Sequence, residues 1–284
     1  MLSMKLSQYY VPISRTIGYD AMDQPFTLVF GPTRSGKSFL TIHLINMLAS
    51  LPLDNINGLH GLASCPTQLF IIDLKNAEMA RLGRLLPPDR VATNKTEALK
   101  LLDQFVALKR KRANFIADKT SFGATASTLH MPLFCLILEE YATTNAVFNE
   151  GLSKKDKNDR YKWDALIREL FLTGAGLGFV AIIITQQPSV GNAGLSTIIT
   201  EQVSVKLGMG SMTSTQLRLG FGNDTDIPEY HLTKGEGLAW INGSNDELLM
   251  PFRAPKIEPE KIWQILKLSL TNQDTDRYLT RTNT

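Results

Sequence analysis

The sequence predicts an α/β fold with a mostly parallel sheet flanked by helices, and three observations carry that expectation. Apolar runs of strand length alternate with stretches of helical periodicity. A glycine-rich octapeptide joins one such run to a helix. Polar residues with chemical potential fall just after the apolar runs, where a parallel sheet collects its ligands. With 284 residues and 43% apolar composition, the chain has material for one large core and at most a small appendage.

Residues 1–25 carry prolines and turn formers and read as an extended lead-in. An α/β domain is expected over 26–255, followed by a C-terminal helix and polar tail over 256–284, frayed from 271 onward. The first strand is Phe26–Phe30. It runs into Gly31-Pro32-Thr33-Arg34-Ser35-Gly36-Lys37-Ser38, and 39–49 (FLTIHLINMLA) continue as a helix. Such a loop turns successive backbone N–H groups around a phosphate, with the positive end of a helix dipole behind it. Lys37 then reaches the β and γ phosphates, and the Ser38 hydroxyl coordinates Mg²⁺. The pattern arises by chance in roughly one such chain in a hundred, so it is read as a site for ATP or a similar triphosphate and not as a plain turn.

Residues 50–67 form a loop rich in Gly, Pro and Asn. A strand over Leu69–Ile72 ends in Asp73-Leu74-Lys75. Asn94 and Glu97 make a capping-box signature, and Ala98, Leu101, Leu102, Phe105 and Leu108 carry that helix to about Phe115. The strand Leu133–Leu138 ends in Glu139 and Glu140. Residues 151–160 (GLSKKDKNDR) read as a charged loop before a helix with the face Trp163, Leu166, Ile167, Leu170 and Phe171. The strand Phe179–Ile184 runs into Thr185-Gln186-Gln187-Pro188, a fifth strand covers Val203–Leu207, and short strands and turns fill the remainder to about Phe252.

Cys65 and Cys135 are too few for a disulfide framework or a metal site and point to a reducing, cytoplasmic setting. The longest apolar runs fall far short of the ~20 residues that span a bilayer, so a soluble protein is expected. A net charge of +3 is too small to argue for nucleic acid. Function must come from the strand ends. Glu139 and Glu140 follow LFCLIL in the manner of a Walker B element: the first acid holds Mg²⁺ through water, and the second polarises the attacking water. Gln186 senses the γ phosphate if its strand lies between those of the loop and Glu140.

The ordered set GPTRSGKS, IIDLKNAEM, FCLILEEY, ITQQPSV and KGEGLAW resembles the motor domain of FtsK/SpoIIIE DNA translocases. DLKNAEMARLGRLLP and the ending MPFRAP are most similar to the TcpA-like coupling proteins of Gram-positive conjugative elements. The resemblance covers Val11 to about Phe252. It implies a RecA-like P-loop NTPase of the ASCE type, working as a hexameric ring that hydrolyses ATP and moves DNA through its pore. It implies Lys37 and Ser38 as Walker A residues, Glu140 as catalytic glutamate and Gln186 as sensor. The partners that follow are DNA, further copies of the chain, a relaxase and a membrane-bound transfer apparatus that recruits it.

Several positions depart from the family pattern. Glu139 stands where Asp is usual, Leu74 where proline is frequent, and Gln187 where arginine follows the sensor. A trans-acting arginine is expected eleven residues before Gln186, and Ala175 stands there. Arg168 is the candidate substitute, two helical turns earlier and displaced about 10 Å along a continuous helix; the alternative is a local pair with Asp164. Arg218 is next. The membrane segment and winged helix of many relatives are not expected in this chain. For DNA contact, the run Lys109–Arg112 (KRKR) reads as a solvated helix end, and the loop with Lys154, Lys155, Lys157 and Arg160 as the better pore element. Two other readings stand beside the DNA motor. One is a phage or viral genome-packaging ATPase, and the other a slow nucleotide-dependent assembly factor. A small-molecule kinase is disfavoured, because the glycine-rich region after 208 offers only Arg218 for a lid.

Overall fold

The computed structural model describes residues 7–281 except 52–66, 119–121, 190, 192–193, 224, 226, 228–229, 245–248 and 272. The loop expected over 50–67 falls almost wholly outside the described residues, as does Cys65. The chain opens with a small antiparallel ribbon, β1 (Tyr10–Pro12) and β2 (Gly18–Asp20). This corrects the extended lead-in: Val11, Ile13 and Tyr19 are buried and join the main core.

The domain then alternates strands and helices: β3 (Phe26–Phe30), α1 (Lys37–Ala49), β4 (Gln68–Asp73), β5 (Val91–Ala92), α2 (Lys95–Asp118), β6 (Phe134–Glu139), α3 (Tyr141–Asn149), α4 (Lys154–Thr173), β7 (Phe179–Thr185), α5 (Thr197–Gln202) and β8 (Val205–Met209). It closes with α6 (Ser214–Phe221), β9 (Glu236–Ile241), β10 (Met250–Arg253), α7 (Ile262–Ser269) and α8 (Thr275–Leu279). Among the described residues, eight of these strands form one sheet in the order β10-β9-β8-β3-β7-β6-β4-β5. It is parallel from β8 to β5 and antiparallel at β8–β9 and β9–β10. The central strands are buried on both faces, which is why they read as unbroken apolar runs.

Alternation divides those strands between two cores. Val29, Ile71, Ile137 and Ile182 face a layer containing α1, α7 and the ribbon. Leu28, Phe70, Phe134 and Phe179 face α2 and α4. On that second face Phe70, Phe134 and Phe179 form a ladder across β4, β6 and β7, with successive ring centroids 6.2 and 5.0 Å apart.

Four expectations are corrected here. The charged loop at 151–160 is mostly helix: the Ser153 hydroxyl accepts from Asp156 N–H at 3.0 Å and starts α4, so Lys154, Lys155, Lys157 and Arg160 lie on a helix. The run KRKR is not a solvated end. Lys109 is buried against Glu169 at 2.9 Å, and Arg112 is fully buried. Arg112 donates to the carbonyls of Pro132, Leu177, Tyr278 and Leu279 and lies over the rings of Phe134 and Phe179. The tail is not frayed over 273–281. Buried Gln273 accepts from Leu69 N–H and donates to the Thr67 carbonyl, continuing the hydrogen bonding at the start of β4, while Arg90 reaches Thr275. Finally, the glycine-rich region contains α6, begun by a capping box between Thr213 and Gln216.

Candidate functional site

β3 delivers the chain to the octapeptide at the carboxyl edge of the sheet. Gly31 turns at φ 140°, where a Cβ would lie 2.2 Å from the Met209 carbonyl oxygen; no other residue fits. Arg34 and Gly36 also take positive φ, 66° and 110°. The loop ends as α1 begins at Lys37, with no capping side chain and no acid in the first turn. The orphan N–H groups of that turn are thus set for an anion. Lys37 Nζ folds back to donate to the carbonyls of Gly31 at 2.6 Å and Pro32 at 2.8 Å. Burial lowers its pKa, and the carboxylates of Glu140 and Glu139 offset part of that. Pro32, Gly36 and Ser38 are half-buried, Thr33 and Arg34 are exposed, and the buried Ser35 hydroxyl has no partner among the described residues.

β7 lies between β3 and β6, the order in which Gln186 is carried between the loop and Glu140. The Gln186 side-chain oxygen accepts from the Thr33 hydroxyl at 3.0 Å, and its backbone N–H donates to Glu140 Oε1 at 3.2 Å. Thr185 Oγ1 donates to the same oxygen at 3.2 Å. Glu140 itself sits just past the end of β6, at φ 44° in the left-handed region before α3. Burial opposes its ionisation, but the Gln186 N–H and the Lys75 ammonium outweigh it and hold the carboxyl below its usual range.

Two residues with no role assigned from the sequence belong to the site. Lys75 pairs with Glu140 Oε2 at 3.1 Å. Asp73, fully buried, accepts from the N–H groups of Lys75, Ala77 and Ala80 and so fixes the turn that presents Lys75. The segment Asp73-Leu74-Lys75 at a strand end was the available signal. Asp73 is also the register partner of Glu139. Glu139 Oε2 is buried without a hydrogen-bond partner among the described residues, and burial, then Asp73 and Glu140, push its pKa up to about 7 against Lys37 and Lys75.

Arg168 does not meet these groups in the single chain. It is exposed on α4 beside a cavity of about 290 Å³ shared with Tyr141, Asn145, Arg160 and Asp164. Asp164 pairs with Arg160 at 3.8 Å, so the local pair expected for Arg168 forms with a different arginine. The helix also stops at Thr173, and Ala175 begins a 3₁₀ turn. Arg168 and Ala175 therefore do not share one continuous helix. Arg218 is exposed on α6. Among the described residues no group of three His, Cys, Asp or Glu is placed to bind a metal, and no helix is long and apolar enough to cross a membrane.

No protein-family profile and no curated protein matches the sequence. Solved structures do match the fold. The conjugation coupling protein TcpA of pCW3, in its monomer form with ATPγS, is 18% identical at a TM-score of 0.70, covering 93% of this chain and 72% of that one. The cytoplasmic domain of the type VII secretion ATPase EccC of Thermomonospora curvata is 18% identical at 0.60, with 93% of this chain covered but 31% of that one. EssC (ATPases 2 and 3) of Geobacillus thermodenitrificans is 14% identical at 0.60, covering 92% and 46%. This chain thus spans less than half of the EccC and EssC chains. It has the α/β fold of these ATPase domains, with a mostly parallel sheet flanked by helices.

Proposed function

We propose that this chain is an ATP-hydrolysing motor domain that assembles with further copies of itself and drives DNA during transfer of a mobile element. The observation that carries the reading is the meeting of Lys37, Glu140 and Gln186 at the ends of neighbouring strands β3, β6 and β7. The residues fit ATP with Mg²⁺. Among the described residues, an uncapped helix start, a lysine that donates to its own loop's carbonyls and a buried carboxylate oxygen without a hydrogen-bond partner are the groups a magnesium triphosphate would satisfy. The Ser38 hydroxyl would hold the ion directly and Glu139 through water. When bound, the ion supplies charge neutralisation on the phosphate oxygens.

Under this reading the loop N–H groups and Lys37 bind and orient the polyphosphate. Lys37 must first leave the Gly31 and Pro32 carbonyls, so binding reshapes the loop. Glu140 takes a proton from water at a carboxylate oxygen. Three donors occupy that carboxylate, Lys75, Thr185 and the Gln186 N–H, and water gains access as they loosen. The Gln186 side chain, tied to Thr33, links loop movement to that event.

DNA as the cargo rests on the family resemblance of the motifs, with support from the structural likeness to a coupling protein. The experiment is the ATPase rate against added single- and double-stranded DNA over a salt series. A motor gives stimulation that fades steeply as salt rises. A slow assembly factor gives turnover that DNA does not change. That second reading is favoured by the engaged state of Glu140 and by Ala175 at the expected finger position.

A further inference from the structure

We propose that Lys75 is a second phosphate-binding lysine, which leaves Glu140 for the terminal phosphate when a triphosphate binds and thereby opens Glu140 to water. The inference rests on the phosphate loop binding a triphosphate, and it adds to that site a residue and an order of events.

Strand order sets the geometry. From the loop outward β3, β7, β6 and β4 follow one another, so Lys37 approaches the acids at the end of β6 from one side and Lys75 from the other. Both ammoniums oppose the rise in the Glu139 pKa that burial causes, and the charge of Lys75 adds to burial in lowering the pKa of Lys37. The two lysines thus face one another across the acids, and a terminal phosphate set before Glu140 lies between them.

Lys75 has a fixed base and a loose tip. Its N–H donates to buried Asp73 at 3.2 Å, and Asn76 turns at φ 50° with its own N–H on the Asp73 carbonyl at 3.0 Å. The side chain, by contrast, is 39% exposed where it meets Glu140 Oε2 at 3.1 Å. An ion pair this open to solvent is weak, and a phosphate group with more than one charge draws an ammonium more strongly than a single carboxylate does. ADP has no terminal phosphate to offer and leaves Lys75 on Glu140.

The donors on Glu140 decide what that departure does. A carboxylate has about four acceptor positions, two on each oxygen. Those of Oε1 are taken by the Thr185 hydroxyl and the Gln186 N–H, both at 3.2 Å. Thr185 is buried at the end of β7 and the second donor is backbone, so neither moves easily. Loss of Lys75 therefore opens Oε2 and leaves the carboxylate held by Oε1. Glu140 is exposed to water once the terminal phosphate is in place.

Equilibrium binding of ATPγS and of ADP, each with Mg²⁺, separates the two lysines. Lys75→Met keeps the stem and removes the charge. It should lower ATPγS affinity about tenfold, as expected for one charge-assisted contact, and leave ADP within about twofold of wild type. Lys75→Arg should restore most of the ATPγS affinity, and Lys37→Ala should weaken both nucleotides. Because ADP binding also reports an intact site, a variant that is merely misfolded loses both ligands. Lys75→Met lowering both equally, or neither, overturns the handover and leaves the loop reading standing. A wild type that binds neither nucleotide overturns both.

Discussion

Replacing Glu139 by glutamine should stabilise the ligand-free protein, by an amount that depends on pH. In the fold Glu139 keeps its proton until about pH 7, against 4.5 for an unperturbed glutamate, chiefly because it is buried and beside Asp73. Between those values the folded state binds more protons than the unfolded chain, so the wild type loses stability as pH rises. The full shift corresponds to about 3 kcal/mol, most of which develops between pH 5 and pH 8. Water reaching the carboxyl shrinks this, leaving an expected change of about 1–2 kcal/mol. Glutamine is neutral throughout. Urea unfolding in EDTA at pH 5 and pH 8 should therefore find the stability of Glu139→Gln, relative to wild type, growing by that amount toward pH 8. Magnesium with ATPγS should narrow the gap, because the ion's charge favours ionised Glu139. A gap that is flat or shrinks toward pH 8 would refute the assignment of a strained acid at this strand end.

Three further perturbations follow from the geometry. Lys37→Ala removes a charge-assisted phosphate contact worth about 1.5–3 kcal/mol, so ATP affinity should fall at least tenfold while the urea midpoint stays put; unchanged affinity in calorimetry contradicts the loop assignment. Arg112→Met leaves four carbonyls, three of them at buried hydrogen bonds, without this donor and should cost about 3 kcal/mol or more, with Arg112→Lys recovering only part; a loss below about 1 kcal/mol in urea melts contradicts its anchoring role. Arg168→Ala subunits should depress DNA-stimulated turnover and regain some when mixed with Lys37→Ala subunits; full activity of Arg168→Ala alone removes it as a trans-acting finger.

The central strands and the loop were legible because their signals are local. Burial on both faces makes an apolar run, and a phosphate loop needs glycine where Gly31 and Gly36 turn. Strand order was not written in any segment, yet it decides whether Gln186 can sit between the loop and Glu140. At Lys109–Arg112 and at 151–160 the misreading has one cause, the assumption that charge means solvent. Arg112 is buried because its planar guanidinium fits four carbonyls and two Phe rings, partners that come from 20 to 167 residues away. Lys154, Lys155 and Lys157 are helical because Ser153 caps α4, a signal that was present as Ser153 followed by Asp156. The Thr213–Gln216 capping box is equally readable, but it lies among glycines, which signal turns. Lys75 and Asp73 could be placed at a strand end, whereas their contacts with Glu140 and the turn depend on side-chain geometry.

The most direct test of the central claim compares ATP binding and ATP turnover in the wild type and Glu140→Gln, under identical magnesium and DNA. Glutamine keeps the shape of Glu140 but cannot accept the proton from water. The account predicts wild-type turnover that DNA raises, and a variant that binds ATP as tightly yet hydrolyses it at least a hundredfold more slowly, on the order of the lost base contribution. Turnover by Glu140→Gln at the parental rate would contradict it.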